Sequence, residues 1–243
     1  MKKTTLAALI GATALVLSAC GGGGGSSSPS TSANNTVPNN NNNANNNGNA
    51  HNNNGGNANI GKNTATDFKS VQASQLDKLT VGGVTISLTG LRAGTWFSNS
   101  NSNSNYAVGG TTYSSVRFGF AGKSVNNRTP FVHGVETTNM PTNGQFKYSG
   151  LHMNSDGKGA GFQGGKNSAE LTADFGARKL TGTLTGAANE TYQINADIKG
   201  NRFSGTAADK TYSEGGFYGN NAAEVAGSYK KGDITGVFGA QKQ

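Results

Sequence analysis

The segment Thr191-Tyr-Gln-Ile-Asn-Ala-Asp-Ile-Lys199 alternates apolar and polar residues strictly. Its second, fourth, sixth and eighth residues are Tyr, Ile, Ala and Ile, and polar residues stand between them. A period of two is typical of a β-strand with one buried face. Further segments repeat the strand pattern on both sides of it: Gln145–Gly150, Ala169–Phe175, Lys179–Thr185, Asn201–Ala207, Glu224–Tyr229 and Asp233–Phe238.

Short turn signals separate these strands at regular intervals, which favours an antiparallel meander over units that alternate strands with helices. The signals are Asp156-Gly157, Gly176-Ala177-Arg178, Gly200-Asn201 and Lys231-Gly232-Asp233. Many short strands hide their edges best by closing on themselves. Residues 141–243 are therefore predicted to form an eight-stranded antiparallel up-and-down barrel. Four inward glycines are predicted to leave room for three aromatic rings. The glycines are Gly182, Gly205, Gly227 and Gly236, and the rings are those of Phe203, Tyr229 and Phe238.

Three longer phrases in this region resemble a known family. They are Ala169-Glu-Leu-Thr-Ala-Asp-Phe with Lys179-Leu-Thr-Gly-Thr-Leu, then Asp197-Ile-Lys-Gly-Asn-Arg-Phe-Ser-Gly-Thr-Ala, then the stretch from Gly215 to Lys242. The combined pattern resembles the carboxy-terminal barrel of transferrin-binding protein B, which is shared by factor H-binding protein and by small surface lipoproteins that bind haem or haemoglobin. The resemblance covers roughly residues 131–243. It implies the barrel, and it does not imply which ligand is bound.

Residues 64–140 are predicted to form a second, smaller β-rich part. Alternating strands recur at Val84–Thr89, Tyr113–Phe120 and Phe131–Thr138, and the Ser/Asn repeat from Ser98 to Asn105 is predicted to be a mobile loop. The family resemblance implies that this part is a handle subdomain beside the barrel. One handle and one barrel are present, whereas transferrin-binding protein B has two such lobes.

The amino terminus reads as a bacterial lipoprotein signal over residues 1–19. Lys2 and Lys3 precede an apolar run from Leu6 to Leu17, which is too short to span a bilayer, and small residues lead to Cys20, the single cysteine. Cys20 is predicted to carry the lipid, palmitate among its acyl chains, and Gly21 favours sorting to the outer membrane. Residues 20–63, rich in Gly, Ser and Asn, are predicted to be a disordered tether that lifts the folded part off the lipid surface.

Composition excludes several classes of function. The formal charge of +8 includes two lysines of the signal, and the other basic residues are scattered, so no nucleic-acid partner is predicted. No metal-ligand spacing, phosphate-binding loop or nucleophile elbow occurs, so neither an enzyme nor a metal site is predicted. No cofactor is required, although haem remains a candidate ligand.

The haem hypothesis rests on His133 and His152. If the strands Phe131–Thr138 and Gln145–Met153 formed a hairpin about Pro141-Thr142-Asn143-Gly144, the two histidines would face each other on an apolar, aromatic surface. Two imidazoles on such a surface could ligate haem iron. The alternative is that both are ordinary half-buried strand histidines.

Partner binding is predicted at Trp96, Phe97 and Tyr106, since aromatic residues beside a mobile loop are typical anchors, although Trp96 and Phe97 could instead fill the core. The predicted role is capture of a host haem or iron carrier, namely haemoglobin, haem or transferrin. The alternatives are immune evasion through a complement regulator such as factor H, and a structural or adhesive surface lipoprotein. The resemblance also implies export by a dedicated outer-membrane translocator.

Overall fold

The computed structural model describes residues 65–90, 96–155 and 167–243, and these residues form an all-β structure. The predicted lipid site Cys20 and the tether lie outside the described residues. Two short 3₁₀ turns, Ala73–Gln75 and Asn220–Ala222, interrupt the strands. The strands are β1 Asp67–Ser70, β2 Lys78–Val81, β3 Val84–Ser87, β4 Trp96–Ser100, β5 Asn105–Gly109, β6 Val116–Ser124, β7 Asn127–Gly134, β8 Gln145–Ser155, β9 Ser168–Asp174, β10 Lys179–Thr185, β11 Thr191–Lys199, β12 Arg202–Thr206, β13 Tyr212–Tyr218, β14 Glu224–Lys231 and β15 Ile234–Lys242.

Strands β8 to β15 form a closed antiparallel barrel in which each strand pairs with its neighbour in sequence and β15 pairs back onto β8. The predicted eight-stranded up-and-down barrel is confirmed. Sequence patterning missed β13, because Gly215 and Gly216 carry no side chain that could show alternation. Gly215 is required there, since a Cβ atom would lie 2.5 Å from the Phe203 ring.

The barrel interior is filled by alternate residues of its strands. In β11 every second residue is buried, as the period-two pattern predicts. A Cβ at Gly236 would lie 2.2 Å from the Tyr229 ring, and one at Gly227 would lie 2.8 Å from Phe203, so both glycines leave room for aromatic rings as predicted. At Gly182 and Gly205 the three atoms nearest to an added Cβ belong to the backbone or an aliphatic side chain of a neighbouring strand. These two glycines therefore allow strands to pack closely, and the prediction that they leave room for an aromatic ring is wrong.

The handle is a five-stranded sheet in the order β1-β7-β6-β5-β4, with β1 parallel to β7 and the other pairs antiparallel. One face packs on the barrel wall through a cluster that includes Phe118, Leu151 and Met153. The opposite face is covered by the β2–β3 hairpin through Leu79, Ile86 and other apolar residues. Hairpin, handle sheet and barrel wall are thus stacked in layers with a buried apolar cluster at each contact.

Within the described ranges, no helix is long and apolar enough to cross a membrane.

Candidate functional site: the handle and its contact with the barrel

His133 lies in β7 of the handle sheet and fixes the first strand of the fold. Its Nε2 is 3.1 Å from Oδ2 of Asp67 in β1, and Asp67 also pairs with Lys69 at 3.0 Å. Burial by itself would raise the pKa of Asp67, but the contacts with His133 and Lys69 outweigh it and lower that pKa. His133 therefore has a structural partner that accounts for its position.

His152 lies inside the barrel and is fully buried. Its Nδ1 is 2.7 Å from the Tyr229 hydroxyl, and the rings of Tyr192 and Tyr229 pack edge-on against it. Burial lowers the pKa of His152, which the Thr185 carbonyl and the Glu190 charge offset only in part, so the imidazole is neutral at pH 7. Burial also raises the pKa of Tyr229, so its hydroxyl stays protonated, and the tautomer of His152 sets which of the two groups donates.

The predicted hairpin between the strands of these two histidines is wrong. β7 is already paired on both sides, by β6 and β1, and β8 is paired by β9 and β15, so neither strand has a free edge for the other. His133 contacts Phe131 in the cluster under the β2–β3 hairpin, whereas His152 points into the barrel. The structure does not bring the two imidazoles together, and the haem hypothesis loses the geometry on which it depended.

The three predicted anchor aromatics lie in paired strands rather than on a loop. Trp96 and Phe97 belong to β4, the outer strand of the handle sheet, and Tyr106 belongs to β5. Trp96 packs on the barrel-facing cluster, whereas Phe97 and Tyr106 pack on the hairpin-facing cluster with ring centroids 6.1 Å apart. All three remain half-exposed, and partner contact by them stays a prediction.

Half of the expected mobile loop Ser98–Asn105 is strand, since β4 ends at Ser100 and β5 begins at Asn105. Ser100 pairs with Asn105, and only residues 101–104 connect the two strands. The Asn101 side chain accepts hydrogen bonds from the backbone amides of Asn103 and Ser104 and closes this connection as a tight turn. The Ser/Asn repeat Ser98–Asn105 therefore contains both the turn and the strand ends beside it. Polar residues are tolerated in the outer strand because one of its sides faces solvent.

Glu224 holds the handle against the barrel. This carboxylate at the start of β14 is buried, and it accepts hydrogen bonds from the backbone amides of Ser114 at 2.6 Å and Ser115 at 2.9 Å. Burial raises its pKa, and the two amides, Gln241 and Arg117 oppose that rise. A barrel side chain thus satisfies the backbone of a handle turn.

A second set of contacts holds the backbone of the turn that Glu224 binds. The guanidinium of Arg117, which is buried, donates to the backbone carbonyls of Gly110 at 2.9 Å and Tyr113 at 2.6 Å. The Tyr113 hydroxyl donates to the carbonyl of Gly239 in the barrel at 3.1 Å. On the segment between β7 and β8, Glu136 forms an ion pair with Arg202 of the barrel. The handle and the barrel are therefore joined by polar contacts as well as by the apolar cluster.

Sequence reasoning did not single out Glu224, Arg117 or Glu136. Each is a charged residue at the end of an apolar strand pattern, where charged residues are usually solvated. The only available signal was that Glu224 and Arg117 each adjoin a run of apolar and glycine residues that must be buried. The amides that Glu224 binds lie 110 and 109 residues away in the chain, and Arg202 lies 66 residues from Glu136. Arg117 binds backbone carbonyls, and residue patterning reveals none of these contacts.

Among residues 65–90, 96–155 and 167–243, no three His, Cys, Asp or Glu side chains are close enough to hold a metal ion.

Comparison with known proteins identifies the barrel. Residues 140–242 match the sequence model of the family described as C-lobe and N-lobe beta barrels of Tf-binding protein B. An uncharacterized protein of Haemophilus influenzae is 36% identical over 143 residues, covering 54% of this chain and 49% of the relative. Transferrin-binding protein B of Neisseria meningitidis serogroup B is 31% identical over 159 residues, covering 49% of this chain and 26% of that protein.

The three-dimensional similarity covers more of the chain than the barrel. The crystal structure of isotype 1 transferrin-binding protein B from serogroup B Neisseria meningitidis aligns with a TM-score of 0.54 and 30% identity, over 70% of this chain and 39% of that chain. This chain therefore spans half or less of the length of these relatives. With a barrel that matches the family model and a handle sheet packed on it, the part of the chain that the structure describes resembles a lobe of transferrin-binding protein B.

Proposed function

We propose that this chain is a surface lipoprotein, anchored in the outer membrane through acylated Cys20, that captures an iron-carrying host protein, with transferrin as the first candidate. The support comes from the relatives whose names state transferrin binding and from the lipoprotein signal that ends at Cys20. Binding would occur by surface complementarity, with no bond made or broken. Export by an outer-membrane translocator belongs to the same proposal.

The observation that carries the proposal is the handle sheet packed on the barrel, since this arrangement aligns with a solved transferrin-binding protein B at 30% identity. A handle fixed by Glu224, Arg117 and Glu136 offers a partner a surface that needs little ordering. Preorganised surfaces lose less conformational entropy on binding, which favours affinity. The half-exposed Trp96 and Phe97 on β4 and Tyr106 on the adjacent β5 are the proposed anchors.

Direct haem capture is the weaker reading, because His133 and His152 lie on different sides of the barrel wall and each has a structural partner. Transferrin and haemoglobin would instead be recognised as proteins. A complement regulator such as factor H remains the alternative partner, since the family resemblance implies the scaffold without choosing the ligand.

The test is affinity capture by residues 64–243, which include every residue that the structure describes. This protein, immobilised, is exposed to plasma mixed with red-cell lysate, and the retained proteins are identified by mass spectrometry. We expect transferrin, or another iron or haem carrier, to be retained and to be lost when Trp96 and Phe97 are both changed to Ala. Retention of factor H without any iron carrier would replace this proposal with the immune-evasion alternative.

A further inference from the structure

A cleft of about 420 Å³ opens where the handle turn meets one end of the barrel. Its walls come from Ser114 of the handle, from the connection between β13 and β14, and from the last residues of β15. We call it the amide cleft, because four of its lining residues are Asn220, Asn221, Gln241 and Gln243. Its volume is within the range of small-molecule sites, about 300–1,000 Å³.

The two charged residues of the amide cleft are already engaged. The Glu224 carboxylate accepts the backbone amides of Ser114 and Ser115. The Lys242 ammonium lies 3.4 Å from the centre of the Phe146 ring, a cation–π contact. An anionic ligand would be repelled by the Glu224 charge, and the one cationic side chain of the lining, Lys242, is held over the Phe146 ring, so the cleft favours a neutral ligand.

Backbone groups at the rim are also engaged. The amide of Lys242 donates to the carbonyl of Ala223, and the amide of Gln243 donates to the carbonyl of Lys147, each at 2.9 Å. An extended peptide that paired with this edge would need free backbone donors. Because these donors are engaged, the cleft does not favour such a peptide. In contrast, the exposed side chains of Asn220 and Asn221 make no hydrogen bond to any part of the chain that the structure describes.

We propose that the amide cleft binds a neutral carbohydrate. A side-chain amide offers both a donor pair and an acceptor, and a sugar hydroxyl likewise donates and accepts, so free Asn amides suit a ligand rich in hydroxyl and acetamido groups. The ligand would contact handle and barrel together, through Ser114 on one side and Asn220 and Asn221 on the other. This site is separate from the proposed anchors at Trp96, Phe97 and Tyr106, and its test does not require transferrin capture.

The experiment titrates the full chain, in detergent micelles, with the neutral disaccharide N-acetyllactosamine and follows binding by saturation-transfer NMR and calorimetry. We expect saturable binding that the double change Asn220→Ala with Asn221→Gly weakens at least tenfold. Asn221 has φ +53°, a left-handed conformation that glycine adopts without strain, so the change removes the amide and spares the backbone. Absence of saturable binding by the unchanged protein would overturn the proposal.

The matched control is Asn189→Gly. Asn189 has φ +64° and lies in the turn between β10 and β11 at the other end of the barrel, so its change should leave binding within twofold. A loss equal to that of the cleft variant would mean that binding occurs elsewhere and would overturn the proposal.

The dependence of the affinity on salt concentration tests whether the bound ligand is neutral. Raising NaCl from 50 to 500 mM should leave the affinity within twofold, since no free charge pairs with the ligand. A tenfold loss of affinity, or much tighter binding of the sialylated form, would contradict a neutral site.

Two competitors identify the source of the carbohydrate: a desialylated glycopeptide, and the oligosaccharide released from the bacterium's own outer membrane. Displacement by either supports the carbohydrate site, whereas displacement only by an unglycosylated peptide overturns it.

Discussion

At the scale of single residues, the barrel interior carries a polar pair that the apolar pattern does not suggest. The Tyr229 hydroxyl and Nδ1 of His152 bond at 2.7 Å inside an aromatic core, with Tyr192 beside them. A buried polar group without a partner loses its hydration without compensation. Each member of the pair therefore reduces the free-energy cost of burying the other. Removing one partner should therefore cost more than the bond itself contributes.

The change Tyr229→Phe tests this pair. It removes the hydroxyl and leaves Nδ1 of His152 without its partner, so the free energy of unfolding should fall by about 1–3 kcal/mol. Urea denaturation measures the change. Tyr212→Phe is the control, because Tyr212 is exposed on the outer face and its hydroxyl contacts Glu214; it should change stability by less than about 0.5 kcal/mol. Equal effects of the two changes would contradict the role assigned to the buried pair.

Asp209 provides a stability contribution that depends on pH. Burial by itself would raise its pKa, but hydrogen bonds from Lys231 and Thr211 lower it to about 2. A carboxyl with a lowered folded-state pKa stabilises the fold above its ordinary value of 3.8, and this stabilisation is lost as the pH falls through about 2. Solvent screening of the partly exposed ion pair limits the contribution to about 1 kcal/mol.

The change Asp209→Asn should therefore lower the free energy of unfolding by about 1 kcal/mol at pH 6 and by almost nothing at pH 1.5. Urea denaturation at both pH values gives the two differences. Asp233→Asn, at an exposed turn residue near the same end of the barrel, is the control and should show no such difference. A deficit that persists unchanged at pH 1.5 would exclude the ion pair as the cause.

At the scale of elements, close packing joins the handle sheet to the barrel. The Phe118 ring of β6 is fully buried between two glycines, Gly109 of the handle and Gly239 of the barrel. An added Cβ would lie 2.6 Å from this ring at Gly109 and 2.2 Å from it at Gly239. Both glycines are therefore required because an aromatic ring occupies the space where their side chains would be.

The change Gly239→Ala should force the Phe118 ring out of place and lower the free energy of unfolding by about 1–3 kcal/mol. Urea denaturation measures the loss. Gly176→Ala is the control, because the nearest atom to an added Cβ there is the Asp174 carboxylate at 3.4 Å, an ordinary contact. A Gly239→Ala protein as stable as the control would show that the two sheets can separate without cost.

The Glu224 contact makes a second prediction at this scale. Glu224→Ala removes the acceptor of the Ser114 and Ser115 amides, so their hydrogen exchange with solvent should accelerate at least tenfold, a loss of protection of about 1.4 kcal/mol or more. Exchange followed by NMR resolves the two amides. Glu214→Ala, on the outer face of β13, should leave both rates unchanged. Unchanged rates in Glu224→Ala would mean that another group already protects these amides.

At the scale of the whole molecule, the proposed role depends on where the folded unit is held. Several acyl chains on Cys20 would anchor it stably, since each buried methylene adds about 0.8 kcal/mol of membrane affinity. The Cys20→Ser protein should therefore move from the membrane fraction to the soluble fraction and lose palmitate labelling. Ser32→Ala, in the predicted tether, is the control and should remain in the membrane fraction with its label. Cys20→Ser protein that is still labelled and membrane-bound would refute lipidation at this residue.

Interactions between residues close in the chain were sufficient to predict much of the barrel. Alternating residues in Thr191–Lys199 and turn residues such as Gly232 act over short distances, so the strands, their antiparallel order and their buried faces could be predicted. The predicted lipoprotein signal is also local, because the processing machinery reads a short segment. By contrast, the two glycines of Tyr212–Tyr218 concealed a strand, because they lie against groups from other parts of the chain, Gly215 against the Phe203 ring and Gly216 against Arg202.

The sequence by itself thus determined an all-β chain with a closed eight-stranded barrel behind a smaller β-rich part, since periodicity and turns specify how neighbouring strands pair. Only the tertiary structure decided that β7 pairs with β1 and β6 and not with β8, which separated His133 from His152. It also decided that Glu224 joins two parts of the fold and that the amide cleft lies beside it. These features depend on residues far apart in the chain, and their contacts arise only when the layers pack.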